Sequence, residues 1–337
     1  MRRLAEQGAR AATARAPGAP RLVMVLTENW TVMSARDLRG LVRLAQEAED
    51  AGVDAVMLSD HLVLGPSAGA AGRPFNPKEY AAPGNQDPAT PWPDSIVLMS
   101  AIAAATERLR VIAGAIIAPL RHPIVLAHQL AALDLVSEGR LVVQPTVSWH
   151  EEEYRALGVP FSERGARLDE HLAAWKALWR DTPASFSGRF YAFEDAFMEP
   201  KPFWPEGPRM WFGGINISPF IVRRLVAHGH GFHPFGQPSR EEMAPIRAGL
   251  EAAGRPWEDI EVVGGLRATF PDPRRPADVE QALERVPWQL EQGYTTLCFN
   301  PSQYVGDAAE IPALCRRLVA RVADIASASS GTVQRTG

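Results

Sequence analysis

A (β/α)8 TIM barrel is the fold this sequence predicts, and three observations predict it. Strand-like apolar runs alternate with segments of helical periodicity along most of the chain, giving eight strand-helix pairs. The apolar runs are short and continuous rather than alternating, as in parallel strands covered on both faces. A chain of 337 residues also falls where α/β barrels form one domain with a large core.

The elements follow in order. Residues 21–26 make the first strand, and Ser34 caps a helix whose Leu38, Leu41, Val42, Ala45 and Ala48 recur at helical spacing up to a C-cap at Gly52. The second strand, 53–58, runs into Ser59-Asp60-His61. Residues 62–93 then form an insertion dense in Gly, Pro, Asn and Ala, with Phe75, Tyr80 and Trp92 among them. A connection of that length inside a compact domain reads as a lid. Asp94 caps the next helix to Thr106, and 109–118 is the third strand. A helix follows Arg121-His122-Pro123 up to Val136, and the fourth strand, 140–143, stops at Gln144-Pro145 because proline has no N–H for a ladder. Helices at 151–157 and 163–179 lead to a hairpin around Ser187-Gly188. Strands at 210–212, 231–232, 260–268 and 295–299 alternate with helices at 218–228, 239–253, 277–292 and 307–325, the third kinked at Pro287.

At the two ends, residues 1–20 are rich in Arg, Ala and Gly and read as a disordered leader. Residues 327–337 read as a flexible tail, which leaves 21–326 as the barrel domain.

Bulk properties exclude several classes. A net charge of −4 without a basic block argues against a nucleic-acid partner. No apolar run reaches the length of a membrane span. Two cysteines, Cys298 and Cys315, form no framework and suit reduced thiols in the cytoplasm.

Chemistry gathers where strands end. From Gly139 to Asp169 a buried strand empties into Thr146, Ser148, Trp149 and His150, and Glu151-Glu152-Glu153 then reads as an ordinary acidic helix start. His61, after the second strand, can exchange a proton near neutrality. Gly213-Gly214-Ile215-Asn216-Ile217-Ser218 carries a strand through glycines into a helix start, a natural phosphate site. Arg267 and Asn300 are weaker candidates. His228, His230 and His233 crowd one region, but no Cys or carboxylate completes a zinc set, and no metal is expected.

A family resemblance runs through these motifs. Ser59-Asp60-His61, Arg121-His122-Pro123, Leu133-Asp134 with Ser137-Glu138-Gly139-Arg140, and Glu163-Arg164-Gly165 with Leu168-Asp169-Glu170 come first. Gly188-Arg189-Phe190-Tyr191, Pro200-Lys201-Pro202 and Trp211-Phe212-Gly213-Gly214 continue the order, over about residues 21–235. In this the chain resembles the luciferase-like monooxygenase superfamily of flavin- and deazaflavin-dependent barrels, in its actinobacterial-type branch. The resemblance implies His61 as the catalytic group and a homodimer. It implies cofactor contacts from Asp60, from Ala115 and Ile116 at a bulge often built with a non-proline cis peptide, from Thr146 and Ser148, and from Gly213, Gly214, Ile215, Asn216 and Ser218. Trp149, His150 and His233 would line a pocket for a small, mostly apolar substrate, while Arg121, Arg140, Arg164 and Asp169 would be structural ion-pair partners.

The local motifs are most similar to users of coenzyme F-420, with FMN, supplied reduced by a separate flavin reductase, as the alternative. Glucose-6-phosphate dehydrogenases of that group carry a tryptophan where Gly65 stands and an acid where Trp149 stands, so that activity is not expected. Gln144-Pro145-Thr146-Val147-Ser148 replaces a glycine-rich strand end. It keeps open a cofactor-free barrel serving as a binding or partner subunit.

Overall fold

In the computed structural model the described residues are 19–333, apart from Ala35, Tyr80 and Ala81. The expected disordered leader therefore lies almost wholly outside the described residues. Ten strands are present among the described residues. β1 (Arg21–Val25), β2 (Ala55–Leu58), β3 (Arg110–Ile117), β4 (Leu141–Thr146), β7 (Arg209–Phe212), β8 (Gly231–Phe232), β9 (Glu261–Gly265) and β10 (Thr296–Phe299) pair in the order β1-β10-β9-β8-β7-β4-β3-β2 as a closed barrel. All recorded pairings among these eight are parallel. β5 (Ala184–Ser187) and β6 (Ala192–Ala196) form the expected antiparallel hairpin outside the barrel.

Between the strands run α1 (Leu38–Asp50), α2 (Ser95–Ala105), α3 (Pro123–Val136), α4 (Glu151–Ala156), α5 (Arg164–Arg180), α6 (Pro219–His228), α7 (Ala244–Ala252), α8 (Val279–Leu283), α9 (Val286–Gln292) and α10 (Ile311–Val333). By packing, the chain falls into two compact units. One holds the described residues up to Met57, a short stretch from Pro74, and those from Trp211 to Val333. The other holds Leu58–Arg73 and 81–210.

Four details differ from the sequence reading. Asp37, not Ser34, caps α1, its Oδ1 accepting the Gly40 amide at 2.8 Å. The fourth barrel strand continues through Pro145 to Thr146. It can do so because β3 is bulged beside it: the register passes from Gly114↔Gln144 to Ile116↔Pro145, and a bulge tolerates a residue that lacks an N–H. The 277–292 helix is two helices, with Pro287 in the first turn of the second, where its missing donor costs nothing. The last helix runs to Val333, into the segment 327–337 expected as a flexible tail, whose last four residues lie outside the described residues. Ser327 and Ser329 return their hydroxyls to the Ala323 and Ile325 carbonyls at 2.9 and 3.0 Å, so the polar run stays helical.

Candidate active site

His61 is built into the unit that holds β3 and β4. It follows β2, is 8% exposed, and lies edge-on to Trp92 at 5.0 Å and Trp149 at 6.1 Å between ring centroids. Its Nδ1 lies 3.1 Å from Glu153 Oε2. The other oxygen of Glu153 accepts the backbone N–H of Leu62 at 2.6 Å and of Val63 at 3.4 Å. Glu153 is wholly buried, so these contacts supply the partners that an ionised carboxylate away from water requires.

Glu153 is the residue at this site that the sequence reading missed. Its signal was faint: Glu153 stands four residues before Leu157, on the same helix face, but Glu151 stands three before Tyr154 in the same way, so spacing alone does not separate them. Tyr154 seats α4 by packing with Ile117, Leu120, Leu62, Val159 and Phe161, and its hydroxyl donates to the Val147 carbonyl at 2.5 Å. With Tyr154 fixed in the core, Glu153 has one place to go, beneath the first residues of the 62–93 insertion.

The same helix start organises that insertion. Glu152 Oε2 accepts both the N–H and the hydroxyl of Ser67 at 2.9 Å, which holds it below the ordinary carboxylate range. His150, expected on a substrate wall, is instead 1% exposed. Its Nε2 accepts the Gly65 N–H at 2.7 Å, so the ring is neutral with its proton on Nδ1, and burial lowers its pKa further. Further along the chain and in the other unit, Asn76 donates to the carbonyls of Asp272 and Arg275, and Lys78 to those of Ser302 and Val305.

Asp60 was expected at the cofactor. Its carboxylate faces the protein instead, taking a bidentate pair from Arg121 at 2.7 and 2.9 Å, the Ile117 N–H at 2.9 Å and the Ser95 hydroxyl at 3.0 Å. It is an anchor for the end of β3. Between the two ends of that strand the Gly114–Ala115 peptide is cis, at the register shift. Gly114 and Ala115 are half-buried in a strand otherwise closed to water beyond Arg110, whereas the Ile116 side chain, also expected at the cofactor, is fully enclosed in the core. Ser59 donates to the Gly114 carbonyl at 3.4 Å. Thr146, the last residue of β4, and Ser148, just beyond it, are half-buried, Ser148 with a left-handed φ of 57°. A small-residue face, polar groups at the neighbouring strand end and a histidine nitrogen that no protein group among the described residues engages suit a planar heterocycle.

The expected phosphate segment belongs to the other unit. Gly213 is required there: a Cβ on it would stand 1.6 Å from the His233 carbonyl oxygen. Ile215 and Asn216 are exposed. Ser218 caps α6, its hydroxyl accepting the Ile221 N–H at 3.4 Å, and Pro219 offers no donor. The amides of Ile217 and Phe220 have no protein partner among the described residues. His233 stands edge-on to Trp211 and stacked with Phe235, and burial pushes its pKa down to about 4. Arg267 donates to the Phe235 carbonyl, and Asn300 bridges the Glu28 carbonyl and Ser302. Among the described residues no cluster of His, Cys, Asp or Glu could hold a metal ion, and no helix is long and apolar enough to cross a membrane.

Eight parallel strands closed into a barrel, with a carboxylate-held histidine at the carboxyl end of one of them, define a barrel enzyme. The chain belongs to the luciferase-like monooxygenase family, whose model matches residues 20–314. Among curated relatives it is 37% identical over 126 residues to an FMNH2-dependent dimethylsulfone monooxygenase of Pseudomonas putida, a match covering 36% of this chain and 34% of that one. The first of these relatives are thus matched over only about a third to two-fifths of their length. A longer match, 26% identical over 284 residues, covers 81% of this chain and 76% of the F420-dependent glucose-6-phosphate dehydrogenase of Kineococcus radiotolerans. Among solved structures, the monooxygenase RslO1 from Streptomyces bottropensis shares the fold at TM-score 0.65 and 21% identity, over 89% of this chain and 98% of that one. An F420-dependent secondary alcohol dehydrogenase does so at 0.67 and 15%, over 90% and 99%.

Proposed function

We propose that this chain binds coenzyme F-420 and catalyses hydride transfer or monooxygenation on a small, mostly apolar organic molecule. The observation that carries the reading is His61, held by Glu153 at Nδ1 and walled by Trp92 and Trp149, in the unit whose β3 presents Gly114 and Ala115. The chemistry such a ring supplies is hydride exchange or, for a reduced flavin, two electrons for oxygen. The protein's part is separate. Ala115, Thr146 and Ser148 would hold the ring, His61 would hold or take the proton at the reacting atom through Nε2, and the tryptophans would exclude water. Segment 213–218 would take a phosphate, a role tested on its own. The insertion would act as a lid, and the protein would work as a cytoplasmic homodimer.

A second reading is FMN with reduced flavin delivered by a partner reductase, favoured by the FMNH2-dependent relative. Titration of the purified protein with coenzyme F-420 and with FMN, up to about a hundred times a micromolar Kd, separates the two. We expect saturable binding of F-420 and weaker binding of FMN; the reverse order establishes the second reading. Failure of both in folded protein would leave a barrel that serves as a binding or partner subunit.

A further inference from the structure

We infer that Glu153 is a positioning residue that fixes the proton of neutral His61 on Nδ1 and so presents Nε2 as a base. This rests on His61 being the proton-handling group, but its geometry stands apart from any cofactor. A carboxylate accepts hydrogen bonds and donates none, so the nitrogen 3.1 Å from Glu153 Oε2 must carry the hydrogen. No protein group among the described residues engages Nε2, which therefore keeps its lone pair. Glu153 cannot turn away, because Oε1 is held by the Leu62 and Val63 amides. One carboxylate thus sets both the ring's tautomer and the path of the backbone leaving it.

His150 makes the contrast. It lies against Trp149 at 4.9 Å, and its Nε2 is the acceptor of a backbone N–H, so that atom is closed to substrate. Of the two histidines beside Trp149, only His61 has Nε2 open. Glutamine at 153 would force a conflict. With its carbonyl toward His61, its amide would face the Leu62 N–H donor to donor. With its carbonyl toward Leu62, its amide would donate to Nδ1 and drive the imidazole proton to Nε2.

Long-range proton–nitrogen NMR correlations on histidine-labelled full-length protein, recorded over a pH series, report which nitrogen is protonated. We expect the Nδ1–H form in the wild type, the Nε2–H form in Glu153→Gln, and recovery of Nδ1–H in Glu153→Asp. An Nε2–H signal in the wild type, or an unchanged tautomer in a folded Glu153→Gln, overturns the inference. Where turnover is measurable, Glu153→Gln should lower kcat by roughly a hundredfold or more with cofactor affinity unchanged, as a wrong tautomer does in hydrolase triads. Should Glu153→Gln fail to fold, the wild-type signal and Glu153→Asp still decide. Absence of any cofactor binding would defeat the functional reading and leave the tautomer result standing.

Discussion

At the scale of single residues, the site is a matter of which polar atoms are already taken. Asp60 and His150 lie beside His61 in sequence or in space, yet their acceptor atoms are filled by Arg121, Ser95 and backbone amides. Among the acceptor atoms of these three side chains, only His61 Nε2 is without a protein partner among the described residues. If that nitrogen moves a proton during turnover, His61→Ala should reduce kcat by roughly a hundredfold or more. Cofactor affinity should stay nearly constant if the imidazole acts on the proton rather than on ground-state binding. Equal kcat in the two proteins, measured with the same substrate, would take His61 out of the mechanism.

At the scale of elements, the glycines after β7 differ sharply in what they tolerate. Gly213 lies against the His233 backbone, where a methyl group cannot fit without parting the loop ends of β7 and β8. Gly213→Ala should therefore destabilise the fold, by about 1–3 kcal/mol as overpacking does, visible as a lower urea midpoint. At Gly214 the nearest atom to a new Cβ is the flexible end of Ile221, 2.9 Å away, so a side chain there can be accommodated. Gly214→Asp should keep the apo Tm while weakening a phosphate-bearing cofactor by roughly tenfold or more, through charge at the helix start. An unchanged Kd would move the phosphate elsewhere, with Arg267 next to test.

At the scale of the whole molecule, one buried acid should govern how stability responds to pH. Asp134, on α3, is fully buried and receives the Trp204 N–H at 3.2 Å, yet burial raises its pKa from 3.8 to about 7. Between those values the folded chain holds a proton that the unfolded chain has released. Its contribution to stability therefore falls as pH rises through that window, by about 4 kcal/mol at most, and is level above it. Asp134→Asn removes the titration. Relative to wild type, the variant should gain unfolding free energy between pH 5 and pH 8, read by urea denaturation. A difference that does not change with pH would mean that Asp134 titrates normally.

What the sequence determined by itself was periodic or local. The alternation of apolar runs with helical stripes predicts the barrel, and the family resemblance marks Gly114-Ala115-Ile116 as the place where β3 bulges. The first follows from rules that act within a few residues, as does the position of His61 at a strand's end. The tertiary structure decided which side chains meet. Glu153 read as one of three acids in a helix start, and only the seating of Tyr154 against Ile117 and Leu120 turns it inward, 92 residues from His61. His150 and Ile116 likewise left their expected places at a ligand for the interior. Pro145 stayed in its strand because the neighbouring strand bulges, a condition its own segment does not carry. Burial and hydrogen-bond partners are properties of pairs far apart in the chain, and the pattern of either partner alone does not contain them.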